Sequence, residues 1–191
     1  MKGGARAKTS RKLTWISLVT VNEHGSTGFT GACKSPMGLV DMSAGALGTD
    51  PRVRGYQSVH YFGRTGRPHP ERDPTWRMAG PLAYWNNRVI KADLYLTCCE
   101  WVAVTPKDGY DESDDMRHHA ACAHQAGTLV AGSDPVAIDS WCLRNLMSQF
   151  DGKHAAMMKL DDADSKASKF LRYFRQAAGW GTLDPALVTV A

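Results

Sequence analysis

The sequence predicts an α/β domain with a parallel or mixed sheet and helices on both of its faces. Three observations carry this reading. β-Branched and aromatic runs recur at Leu13–Val21, Leu94–Val104 and Thr128–Ala131. Helical apolar spacing lies between and after them. A tight turn, Gly132-Ser133-Asp134-Pro135, then joins the third run directly to a helix. Strands that alternate with helices bury their apolar faces best as layers.

Taken in order, the strand Leu13–Val21 leads into a Gly- and Thr-rich loop over Glu23–Gly31. Ala32–Leu47 reads as a short helix broken by Pro36 and Gly38. Residues 48–81 combine prolines with Arg52, Arg54, Arg64, Arg67, Arg72 and Arg77, the composition of a long irregular excursion. Pro81–Lys91 is expected to be helical, and Leu94–Val104 a buried strand. A polar loop around Asp111, Glu112, Asp114 and Asp115 precedes the strand Thr128–Ala131. Val136–Phe150 follows as a helix with Asp134 at its N-cap and Pro135 at its first position. Asp161–Ala178 is a final helix, with Ala163, Ala167, Phe170, Leu171 and Phe174 at helical spacing and Gly179 as its stop. A short strand, Ala186–Val190, is expected to end the domain.

Composition narrows the function classes. At 43% apolar and 22% charged residues the chain can bury an ordinary core. No apolar run approaches the roughly 18 residues that a membrane span needs. The net charge of +4 draws largely on Lys2, Arg6, Lys8, Arg11 and Lys12. Residues 1–12 therefore read as a disordered basic tail, and residues 13–191 as a single domain. No aromatic residues interleave with that tail, which disfavours nucleic-acid binding. The five cysteines (33, 98, 99, 122 and 142) contain no C-x-x-C pair. That pattern argues against a disulfide framework and for free thiols in a reducing, cytoplasmic setting. The run after the basic start lacks a small-residue cleavage site, although a targeting segment could lie upstream.

Three features could carry chemistry. The first is His24-Gly-Ser-Thr-Gly-Phe-Thr-Gly-Ala-Cys-Lys34. A strand delivers the chain to His24, and glycines let backbone approach a ligand, making Gly28, Thr30 and Gly31 candidate cofactor contacts. Lys34 opens the next element, where it can grip an anion or attack as a nucleophile if its surroundings strip its proton. The spacing is neither a phosphate-binding Walker loop nor a dinucleotide fingerprint, so a structural glycine loop remains the competing reading. The second feature is Gly132–Asp139. Asp134 has the position of a helix cap, and Asp139 lies one turn inside, near the positive helix end that favours an ionised carboxylate. The third is His118-His119-Ala-Ala-Cys122-Ala-His124, which matches no zinc spacing and is not expected to bind metal as a set.

These segments, in this order, resemble the family called domain of unknown function 362. The carriers are His24, Thr27-Gly-Phe-Thr-Gly-Ala-Cys-Lys34, Asp93-Leu-Tyr-Leu-Thr97, Gly132–Asp139 and Gly179-Trp-Gly-Thr-Leu-Asp-Pro185, so the likeness runs from about residue 13 to the end. Members of that family usually have more than a hundred residues before the His strand. The resemblance therefore implies that this chain is the C-terminal part of a larger domain, with a sheet to be completed by self-association or a partner subunit. Many members also carry a ferredoxin-like cluster domain. Its cysteines are missing here, so no iron–sulfur cluster is expected in this chain. The His-to-Lys loop is also similar to the cofactor loop of nickel-pincer lactate racemase, in which the His is a metal ligand and the Lys carries the cofactor covalently. That likeness implies His24 as a metal ligand and Lys34 as an anchor for a nickel-type or other metal cofactor. His60 is the nearest later His, at a longer spacing than in the racemase.

The resulting expectation is an enzyme acting on a small carboxylate-like molecule with a metal or bound cofactor. Lys34 and His24 would be catalytic, and Asp134 and Asp139 orienting or acid/base groups. The alternatives are a non-catalytic cofactor or metal carrier or partner subunit, and an anion- or nucleic-acid-binding module built on the Arg-rich excursion. His24, Lys34 and Asp134 are expected at one edge of the sheet, where parallel strands end together.

Overall fold

The computed structural model describes residues 14–25, 27–39, 74–89, 91–107 and 121–188. The basic tail 1–12, the excursion over 48–73, the acidic loop 111–115, His60, His118 and His119 lie outside the described residues.

The sheet is mixed, as expected of an α/β domain. Strands β1 (Ile16–Val19), β4 (Leu94–Ala103) and β5 (Ala123–Gly132) are ordered β1-β4-β5. β1 runs parallel to β4, with Ser17 opposite Tyr95 and Val19 opposite Thr97. β5 runs antiparallel to β4, with Tyr95 opposite Gly132 and Ala103 opposite Ala123, and the ladder shifts register between Cys99 and Trp101. The third expected strand is thus present but longer, beginning at Ala123. The first is shorter, because the chain leaves the sheet after Val19 and forms a small antiparallel hairpin. β2 (Asn22–His24) pairs there with β3 (Gly28–Thr30) in place of the expected Gly- and Thr-rich loop. Side chains tie this hairpin to the end of β4: Ala103 N donates to Asn22 Oδ1 at 2.8 Å, and Thr105 N to Glu23 Oε2 at 3.1 Å.

A 3₁₀ helix, Ala32–Leu39, follows the hairpin. Helix α1 (Pro74–Tyr84) begins seven residues before the expected Pro81, which lies inside it, and it passes into a π turn at Trp85–Val89. Helix α2 (Pro135–Asn145) starts as expected, with a short 3₁₀ turn after it at Met147–Gln149. A one-turn helix, α3 (Ala155–Met158), precedes α4 (Lys166–Ala178). Ser165 caps α4 by accepting from Ser168 N, and Gly179, at φ +74°, closes it in the left-handed conformation that a side chain would resist. Where the final strand was expected to begin, the chain forms a 3₁₀ turn at Pro185–Leu187, because Asp184 accepts from Ala186 N and starts a turn; residues 189–190 lie outside the described residues.

The core lies between one sheet face and the helices. Tyr95, Cys99 and Val102 point into it from β4, and Phe170, Leu171 and Phe174 from α4. Phe29 of β3 meets Phe170 edge-on with ring centres 5.6 Å apart, which pins the hairpin to α4. Burying each such ring contributes about 2–3 kcal/mol. The second sheet face, also expected to be covered, is open at Ile16, Leu18 and Leu129 among the described residues, with Leu18 74% exposed. No described helix is long and apolar enough to cross a membrane.

Candidate functional site

Lys34 is the unusual residue of this fold. It sits in the first turn of the 3₁₀ helix, where its backbone N–H donates to Gly31 O at 3.1 Å. Its side chain is only 4% exposed. Burying an ammonium group is costly unless polar atoms receive it. Here Nζ donates to Thr27 Oγ1 at 3.3 Å and Thr30 Oγ1 at 3.2 Å. Burial pushes the Lys34 pKa down to about 8, and the nearby Asp139 carboxylate opposes the shift.

His24 reaches the same place through the hairpin. Its Nδ1 lies 3.5 Å from Thr27 Oγ1, whose own hydrogen goes to Phe29 O at 2.6 Å. That hydroxyl therefore accepts from both sides, which assigns the hydrogen to Nδ1 of the imidazole. A cavity of about 490 Å³ opens beyond the end of β1. His24, Thr30, Gly31, Lys34 and Ser35 line it, together with the apolar Leu18, Val19 and Met37. His24 and Lys34 thus share one cavity, bridged by one threonine. Cys98 stands on its rim and is exposed.

Two groups hold the turn that carries Lys34. Asp139, fully buried on α2, accepts from Ala32 N at 2.7 Å and Cys33 N at 2.8 Å. Its carboxylate thus caps the 3₁₀ helix from more than a hundred residues away, satisfying donors that a local cap would otherwise take. Burial outweighs the two amides and raises the Asp139 pKa to about 6. The same burial, with Asp139 beside it, pushes the Cys33 thiol up, so this cysteine is a packed side chain and a poor nucleophile.

Asn86, in the π turn, holds the other side of the turn. Its Nδ2 donates to Cys33 O at 3.1 Å, and its Oδ1 accepts from Tyr95 Oη at 2.7 Å. Sequence reasoning missed Asn86, and it placed Thr27 and Tyr95 only within family motifs, without a role at the site. The available signal was a single amide four residues after Leu82 on an apolar helical face, a position that asks for a buried partner.

The remaining candidates divide. Thr30 and Gly31 line the cavity. Gly31 also has a structural reason to be glycine, because a side chain there would collide with the Asp139 carboxylate. Gly28, at φ +82°, packs against the backbone of Met157 and Ala167, which accounts for it without any ligand. Asp134 does not reach this cavity. β5 is antiparallel, so its end lies at the opposite sheet edge from the ends of β1 and β4. Both Asp134 oxygens serve backbone there: Oδ1 accepts from Val136 N and Ala137 N, and Oδ2 from Thr182 N at 2.8 Å. Asp134 is a helix cap and a tie for the C-terminal segment. His124 stacks on Phe150 with ring centres 4.7 Å apart.

Among the described residues no three His, Cys, Asp or Glu side chains come close enough to hold an ion, and the cavity offers only His24 and the rim thiol of Cys98. The described residues of the cavity therefore do not fit a metal centre.

Fold and site together define a mixed α/β domain with a buried lysine at the end of its first strand. Residues 13–144 match the model of the family described as Domain of unknown function (DUF362), and the chain belongs to that family. No curated protein and no solved structure matches it.

Proposed function

We propose that the chain is an enzyme acting on a small carboxylate-bearing molecule held in the His24–Lys34 cavity. The observation that carries this reading is the Lys34 amine, buried yet facing a cavity and supported by two hydroxyls. A purely structural lysine would place its ammonium in water or against a carboxylate. In its charged form Lys34 pairs with the ligand carboxylate, strengthened by the apolar wall of Leu18, Val19 and Met37. His24, fixed by Thr27, gives or takes a proton at the neighbouring carbon or oxygen. Asp139 and Asn86 touch no ligand and act by holding the turn.

The test is titration of the protein with glycolate, lactate and acetate, followed through the His24 ring signals by NMR. Saturable shifts are expected, and Lys34→Ala should remove them while leaving the melting curve cooperative. Equal shifts in wild type and Lys34→Ala would end this reading. Intact mass of the purified protein addresses the carrier alternative, since a tethered group would add mass that Lys34→Ala loses.

A further inference from the structure

We infer that Lys34 captures a small carbonyl compound covalently, as an imine formed in the His24–Lys34 cavity. This deepens the reading above and rests on it for the location of the ligand.

The geometry of the amine supports the inference. An uncharged amine has two hydrogens, one lone pair and its bond to carbon. Thr27 and Thr30 take the two hydrogens. The lone pair then has one tetrahedral direction left, and Lys34 borders the cavity. Asp139 spends its two oxygens on the amides of Ala32 and Cys33, and its charge acts on the amine from nearby. The amine is thus held at the cavity lining by two hydroxyls. Burial further favours the uncharged, nucleophilic form.

The step balances without an oxidant or a further reactant. The amine lone pair forms a C–N bond to the carbonyl carbon, and the carbonyl oxygen takes up a proton to give a carbinolamine. That oxygen then receives a second proton and leaves as water, while nitrogen forms the C=N bond. Both protons originate on the amine, and His24, on the wall of the same cavity, can carry them to the departing oxygen. A carboxylate on the ligand would face the His24 ring and the Ser35 hydroxyl, which line the same cavity. A simple aldehyde would meet the apolar wall alone.

The experiment uses the full chain with pyruvate in one arm and propanal in the other. Each is reduced with cyanoborohydride and mapped by peptide mass spectrometry. Lys34 should be labelled at least about ten-fold more than any exposed lysine, because its amine is deprotonated nearer neutrality. Preference for pyruvate assigns an oxo acid, and preference for propanal an uncharged carbonyl. Lys34→Arg should abolish the selective label. Thr30→Val, a near-isosteric change that removes one hydroxyl, should lower labelling several-fold in a folded protein. Labelling that follows exposure, with Lys34 among the least modified, overturns the inference. If lactate still shifts His24 in a Lys34-dependent way while no reducible adduct forms, the covalent step fails and the carboxylate site stands.

Discussion

The carboxylate of Asp139 fills the space that a side chain on Gly31 would need, and it does so while accepting the amides of the next two residues. The glycine and the aspartate are therefore one device, joining the loop after β3 to the first turns of α2. Lys34 is buried only while that device holds its turn in place.

Gly31→Ala should cost about 2–4 kcal/mol, since the new methyl must displace a buried carboxylate. Asp139→Ala should cost about 2–3 kcal/mol by leaving two buried amides without acceptors. The double variant should cost clearly less than the sum, because the methyl can enter the vacated space. Urea unfolding of the four proteins measures this, and strictly additive costs would show that the two residues act separately.

Stability should depend on pH in two windows, with signs opposite to those of ordinary surface ion pairs. The Asp139 pKa is raised from 3.8 to about 6, so its contribution is fully present below the unfolded value and is lost as pH rises through about 6. The Lys34 pKa is lowered from 10.5 to about 8, so its contribution is fully present above the unfolded value and is lost as pH falls through about 8. Each limb is worth at most roughly 3 kcal/mol. Asp139→Asn should flatten the acid limb and Lys34→Met the alkaline one, read from urea midpoints at stepped pH. Variant curves running parallel to wild type in both windows would refute the burial account of these groups.

Asp134→Ala removes the cap of α2 and the tie to Thr182 together. We expect a loss of about 1–2 kcal/mol, with faster amide exchange at Thr182. Carbonyl labelling at Lys34 should be unchanged, because Asp134 does not line the cavity. Asp134→Ser should recover part of the stability through the cap alone. Reduced labelling at Lys34 in Asp134→Ala would show that the two edges are coupled.

Much of this was legible in the chain itself. Local signals sufficed where a residue's role is settled by its neighbours in sequence. Asp134-Pro135 starts a helix because the cap and the ring serve the amides immediately beside them. Gly179 ends a helix because only glycine takes that conformation cheaply. The strand runs over 13–21 and 94–104 were visible as β-branched and aromatic stretches.

The tertiary structure alone decided what depends on partners far away in sequence. β5 is antiparallel because its hydrogen-bond ladder with β4 sets its direction, and that ladder joins residues that no local pattern relates. The same direction takes Asp134 to the far edge and leaves Asp139, one turn later, to cap a helix 107 residues earlier in the chain. Asn86 and Tyr95 became parts of the site only when α1 and β4 were packed over the Cys33 carbonyl. Lys34 illustrates both halves of the lesson. Its place after the glycine loop was written in the sequence, but its lowered pKa comes from desolvation, which exists only once the surrounding elements have closed around the amine.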